Sequence, residues 1–131
     1  MKLDYLLTIS LFMLYTNIAD AQPSKMNLDV LVGSWNLDMT PQDPSDDKFA
    51  KMVISSVGEN SIEGTFYREG VKIREGRINV SGETIYVALV SRDNSGTYNT
   101  SFCLQEGILY GTTHSLDKDF LAVWKGEKLS K

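Results

Sequence analysis

The chain has 131 residues, a formal net charge of −4 and a single cysteine, Cys103. Nucleic acids and anionic membrane surfaces attract concentrated positive charge, so an acidic chain with few basic clusters argues against either as the main partner. One cysteine excludes an intramolecular disulfide, and stability must come from packing. Cys103 is then either a small buried strand residue or a thiol that pairs between chains.

The first residues predict a cleaved signal peptide. An apolar stretch over residues 6–15 is too short to span a bilayer core about 30 Å thick, and small residues just before Gln22 match a cleavage site. A buried apolar helix is the alternative. The predicted organisation is a signal peptide over residues 1–21 and one domain over residues 22–131, with no membrane anchor after processing. The predicted location is secreted or periplasmic.

From Gly33 onward, short segments with strand-like alternation follow one another between turn signals, without a long helical period. Gly76 is expected to mark a bulge or break in one of them. The predicted fold class is all-β, a single eight-stranded antiparallel up-and-down barrel, and a seven-stranded sandwich is the alternative. The predicted strands cover residues 33–40, 48–57, 61–68, 71–80, 84–92, 97–104, 108–115 and 120–129.

Three short segments carry a resemblance to a known group of barrels. Gly33-Ser34-Trp35 resembles the G-x-W opening of calycins, the structural group of lipocalins, fatty-acid-binding proteins and avidins. Residues 62–66 resemble the L-x-G-x-Y segment of avidins, and Val123-Trp124-Lys125 resembles their closing strand. The resemblance implies that the glycine and tryptophan of the first segment lie at the closed end of the barrel. It also implies a stacked cation from the last strand, Lys125 or Lys128, and the residues assigned to the barrel end are Gly33, Trp35 and Lys125.

Biotin binding in the avidin manner is not expected. Avidins surround the ligand with several tryptophans, whereas this chain has two. Phe66 and Arg68 stand where avidins place a ligand-contacting tyrosine and a serine, and neither side chain can make the same hydrogen bond. The identity of a ligand therefore stays open.

The leading predicted function is a binding module that holds a small molecule in the interior or mouth of the barrel. Tyr110 and His114 are four residues apart on one strand and share a face, on which they join Tyr98 and Phe102 if the strand register permits. The alternative is that these aromatic residues only fill a solid core. The predicted ligand-binding residues are Tyr98, Phe102, Tyr110, Thr112 and His114.

The sequence leaves two further functions open. Outward side chains at Tyr86, Ala88 and Val90 favour an exported inhibitor or interaction module, and they leave homo-oligomerisation open. An enzyme centred on His114 ranks last, because the adjacent Ser115 faces the other side of a strand and cannot bond to it. No catalytic residue, metal site or cofactor is predicted, since one histidine and one cysteine do not make a typical zinc shell.

Overall fold

The computed structural model describes residues 26–43, 45 and 48–130, so the predicted signal peptide over residues 1–21 lies outside the described residues. A 3-10 helix at Leu28–Leu31 precedes eight strands. They match the predicted strands to within two residues at every boundary. The strands are β1 Gly33–Asp38, β2 Phe49–Val57, β3 Ile62–Tyr67, β4 Ile73–Ser81, β5 Thr84–Asp93, β6 Gly96–Gln105, β7 Ile108–Ser115 and β8 Phe120–Lys128.

All eight strands belong to one antiparallel sheet in the order β3-β2-β1-β8-β7-β6-β5-β4. Pairing of β1 with β8 joins the first strand to the last, and the two edge strands β3 and β4 then approach each other. Thr65 bridges Lys72, and the Phe66 N–H donates to the Val71 carbonyl at 2.9 Å. The prediction of an up-and-down barrel is confirmed, and the barrel is nearly closed. A sandwich of two sheets is excluded.

The expectation that Gly76 marks a bulge or break is wrong, and its role is at the contact between β3 and β4. This residue stays in register opposite Leu89, and the irregularity of β4 falls earlier, between Ile73 and Glu75. A side chain at Gly76 would collide with Ile62 of β3. Glycine therefore lets the two edge strands approach closely, which brings the barrel near to closure.

Buried side chains from all eight strands fill the middle of the barrel. Trp124 packs with its ring centroid 6.1 Å from that of Phe66 and 5.7 Å from that of Phe102. Removal of such apolar surface from water, at roughly 25 cal/mol per Å², is the main source of stability. Other members of this core include Leu37, Met52, Ile54, Ile78, Ile85, Val87, Leu89 and Leu109.

The 3-10 helix closes one end of the barrel. Its last residue, Leu31, is buried, and the Leu31 carbonyl accepts a hydrogen bond from Trp35 Nε1 at 2.9 Å. The Trp35 side chain is only 1% exposed, so its ring covers this end from inside. The Leu129 N–H donates to the Ser34 carbonyl at 2.8 Å and ties the segment after β8 to β1.

The cation that stacks on this tryptophan is Lys128. Its Nζ lies 5.6 Å from the centroid of a Trp35 ring and donates a hydrogen bond to the Val30 carbonyl at 2.9 Å. Lys125 lies instead 5.9 Å from the Tyr110 ring on the outer face. Successive strand residues face opposite sides, so residues 125 and 128 cannot both serve the closed end. The assignment of Lys125 to the barrel end is therefore wrong.

Candidate functional site

The structure divides the predicted ligand-binding residues between the inside and the outside of the barrel. Tyr98 and Phe102 are buried in the interior, whereas the side chains on β7 face outward, namely Tyr110, Thr112 and His114. In the observed register, the inward even-numbered residues of β6 lie opposite the odd-numbered residues of β7. The expectation that all five line one interior face is therefore wrong.

The remaining predicted residues lie on the outer face of the barrel. Tyr86 and Ala88 are exposed and Val90 is half-buried. His114 is exposed while Ser115 is buried, as alternation along a strand predicts for neighbours. Within residues 26–43, 45 and 48–130, no three His, Cys, Asp or Glu side chains gather as a metal site. The same part of the chain contains no helix long and apolar enough to cross a bilayer.

At the end opposite Trp35, a polar cluster surrounds the carboxylate of Asp93. This side chain is 4% exposed. The Tyr67 hydroxyl donates to Oδ2 at 2.6 Å, and the Tyr98 hydroxyl lies 3.3 Å from both carboxylate oxygens. The Ser95 N–H donates to Oδ1 at 2.8 Å, and Arg68 Nη2 lies 3.9 Å from Oδ2. Hydrogen bonds and a nearby cation thus compensate a carboxylate that is removed from water.

The cluster shifts the pKa values of Asp93 and Tyr98 away from their ordinary values. The hydrogen bond from Tyr67 holds the pKa of Asp93 below its ordinary value, helped by the Ser95 amide, Tyr98 and Arg68 and opposed by burial. Burial raises the pKa of Tyr98 to about 12, and the neighbouring Tyr67 and Asp93 act in the same direction. Asp93 is therefore a carboxylate and Tyr98 a neutral phenol that donates to it.

A second polar group lies between this cluster and the core. Thr113 Oγ1 accepts a hydrogen bond from Trp124 Nε1 at 3.0 Å and lies 2.9 Å from Thr100 Oγ1. Near Asp93 along β5, Ser91 has a buried hydroxyl without a hydrogen-bond partner among the described residues. Buried polar groups are ordinarily satisfied, so this end of the barrel has hydrogen-bonding capacity that its side chains leave unused.

A cleft of about 210 Å³ opens at this end, which we call the open end. The strand β1 stops at Asp38, opposite Lys125, so the first residues of β8 extend past it and leave a notch in the wall. Two rings at the rim keep much of their surface in solvent, since Phe49 is 56% and Phe120 is 44% exposed. The cleft is lined by Met39, Phe49, Ala50, Phe66, Tyr67, Tyr98, Thr113, Lys118 and Phe120.

Most of this open-end site was missed from the sequence, although Tyr98 was found. Alternation along β5 continues to Asp93, but its place at the start of a turn hides that signal. Tyr67 directly follows the buried Phe66, and alternation does not predict that both line one cleft. Lys118 lies in a turn, where a strand period gives no direction.

No protein-family model matches the chain, and the search of curated proteins found no match. The fold by itself supports many functions.

Proposed function

We propose that the chain is an exported, calycin-like barrel that binds a small ligand in the open-end cleft. The observation that carries the proposal is the pairing of two half-exposed rings, Phe49 and Phe120, with the hydroxyl-bearing residues Tyr67, Tyr98 and Thr113 around one concavity. Ligand pockets are typically apolar and aromatic with a few convergent polar groups, which is the composition of this cleft.

The closed end supports the calycin-like part of the proposal. Gly33 and Trp35 lie at this end, and the Lys128 cation stacks on the Trp35 ring, which is what the resemblance implies. Export rests on the signal-peptide pattern of residues 1–21. N-terminal sequencing of the secreted protein should begin at Gln22, and retention of the leader would contradict export with processing.

The size of the cleft limits the ligand. An apolar cavity of roughly 150 Å³ accommodates benzene, whereas pockets for drug-sized molecules begin at about 300 Å³. A cleft of about 210 Å³ therefore accommodates one ring with a small substituent. Phe49 and Phe120 would cover such a ring, and the apolar area removed from water would contribute about 25 cal/mol per Å².

The proposal is tested by filling the cleft. Ala50 lines it and is half-buried, so Ala50→Phe places a ring in the space that the ligand would occupy. The matched control is Ala88→Phe, since Ala88 is exposed on the outer face. Amide chemical shifts are followed by NMR during a screen of single-ring compounds. We expect the bound compounds to shift Thr113 and Phe120 in the wild type and in Ala88→Phe but not in Ala50→Phe.

A second variant covers the case in which Ala50→Phe does not fold. Phe120→Ala removes one rim ring that is 44% exposed, so the fold should persist while ligand affinity falls about tenfold or more. The proposal is wrong if compounds bind with equal affinity to both cleft variants, or if their shifts fall around Tyr110 and His114 instead. Native mass spectrometry of the purified protein then identifies any co-purified ligand.

A second candidate function, self-association through the outer face, is favoured by a separate observation. Tyr110 forms a ridge between two shallow hollows, one beside Tyr86 and Cys103 and the other beside Val123. A ridge flanked by hollows can pack on a second copy of the chain about a two-fold axis. Sedimentation velocity should then show a dimer that Tyr110→Glu dissociates, and a monomer at high concentration would rule this function out.

A further inference from the structure

We propose that the ligand of the open-end cleft is a small aromatic carboxylate, whose anionic group pairs with Lys118 and accepts a hydrogen bond from Thr113. This inference rests on the proposed ligand-binding function and adds the charge of the ligand. It is carried by the juxtaposition of Lys118, the buried Thr113 and aromatic side chains around one cleft of about 210 Å³.

The charge of the cleft favours an anion. Lys118 lines the cleft, and its ammonium makes no hydrogen bond or ion pair with another residue that the structure describes. The nearby carboxylate of Asp93 keeps its negative charge, but Arg68 Nη2, 3.9 Å from Oδ2, partly offsets it, and Tyr67, Tyr98 and the Ser95 amide direct hydrogen bonds at it. Among the residues that the structure describes, Lys118 is the one charged residue that lines the cleft.

The hydrogen bonds of the Thr113 hydroxyl favour a ligand group that accepts a hydrogen bond. An indole N–H can only donate, so the oxygen of Thr113 must accept from Trp124 Nε1. The contact between Thr113 and Thr100 can be made with either hydroxyl as the donor. When Thr100 donates, the Thr113 hydrogen is free for the ligand, and a carboxylate oxygen accepts such a bond more strongly than a neutral group.

The geometry of the aromatic residues favours a ring as the body of the ligand. Rings pair in offset or edge-to-face arrangements worth about 0.5–1.5 kcal/mol beyond area burial. Tyr67 and Tyr98 already meet edge to face at 5.4 Å between centroids, and Phe66 meets Tyr67 in the same way. A planar ring held beside these side chains would continue the arrangement within the cleft that Lys118 also lines.

The test compares three probes of nearly equal shape and different charge: benzoate, benzamide and benzylamine. Affinities come from amide chemical-shift titrations of the full chain at neutral pH and low salt. We expect benzoate to bind about tenfold more tightly than benzamide, and benzylamine to bind most weakly. Lys118→Gln should lower benzoate affinity to that of benzamide and leave benzamide unchanged. Lys125→Gln, which changes an outer-face lysine, should alter neither.

The outcomes distinguish a failure of the proposed ligand class from a failure of the proposed ligand-binding function. If benzamide binds in the cleft as tightly as benzoate, or if benzylamine binds most tightly, the anionic class is overturned while ligand binding stands. The same holds if benzoate affinity survives Lys118→Gln. If none of the probes shifts the cleft amides at its solubility limit, and if single-ring compounds also fail to bind, both proposals are overturned. Added salt should weaken benzoate alone, because screening acts on the ion pair.

Discussion

The two ends of the barrel hold their polar groups in different ways. At the closed end, side chains bond to the backbone, since Trp35 Nε1 donates to the Leu31 carbonyl and Lys128 Nζ donates to the Val30 carbonyl. At the open end, side chains bond to one another, as in the contacts between Asp93 and the phenols of Tyr67 and Tyr98. The closed end is thus held by hydrogen bonds to the backbone of residues 30 and 31, just before β1. The open end is held by hydrogen bonds between side chains of three strands, β3, β5 and β6.

This contrast separates structure from function within one barrel. Backbone carbonyls do not change their protonation with pH, so the closed end has no titratable acceptor in these two contacts. The open end contains an ionised carboxylate, a phenol with a raised pKa and a cleft with half-exposed rings. Perturbed titratable groups beside a concavity are typical of functional sites, which is why the proposed ligand is placed at the open end.

The largest expected effect is at the closed end. Trp35→Ala removes a ring that is 1% exposed, and we expect the free energy of unfolding to fall by about 3–5 kcal/mol. Phe120→Ala at the open end is the matched control, and a ring that is 44% exposed should cost less than about 1 kcal/mol. Urea denaturation measures both. Equal costs at the two ends would show that the closed end is not the structural one.

The next effect is a loss of stability in alkali that arises at the open end. The pKa of Tyr98 is about 12 in the folded chain, while an unfolded tyrosine titrates near its ordinary value of 10. Between these values the unfolded state has released its proton and the folded state has not, so stability falls as the pH rises. The loss should reach about 2 kcal/mol near pH 12.

This pH dependence is measured by urea denaturation at several pH values from 9 to about 12. In Tyr98→Phe the curve of unfolding free energy against pH should be flatter than in the wild type. Tyr110→Phe, which removes a half-exposed phenol from the outer face, should keep the wild-type slope. Parallel curves for Tyr98→Phe and the wild type would remove Tyr98 from the alkaline transition.

The contrast also explains what sequence can predict here. Strand alternation and turn residues act locally, and they predicted all eight strands. Which residues of β7 point inward could not be predicted from β7 alone, because this depends on Trp124 of β8, with which a side chain at Gly111 would collide. Gly111 thus sets the inward face of β7 and turns Tyr110 and His114 outward. The cluster around Asp93 joins residues from β3, β5 and β6, and no single segment carries a pattern for it.

The smallest expected effect tests which lysine belongs to the closed end. Lys128→Met keeps the apolar stem but removes the cation over Trp35 and the hydrogen bond to the Val30 carbonyl, so stability should fall by about 1 kcal/mol. Lys125→Met removes a similar cation from the exposed ring of Tyr110, where water screens the contact, and should cost less than about 0.5 kcal/mol. Both variants are compared with the wild type by urea denaturation at low salt. A larger cost for Lys125→Met would return the structural cation to residue 125 and would contradict the closed end as described.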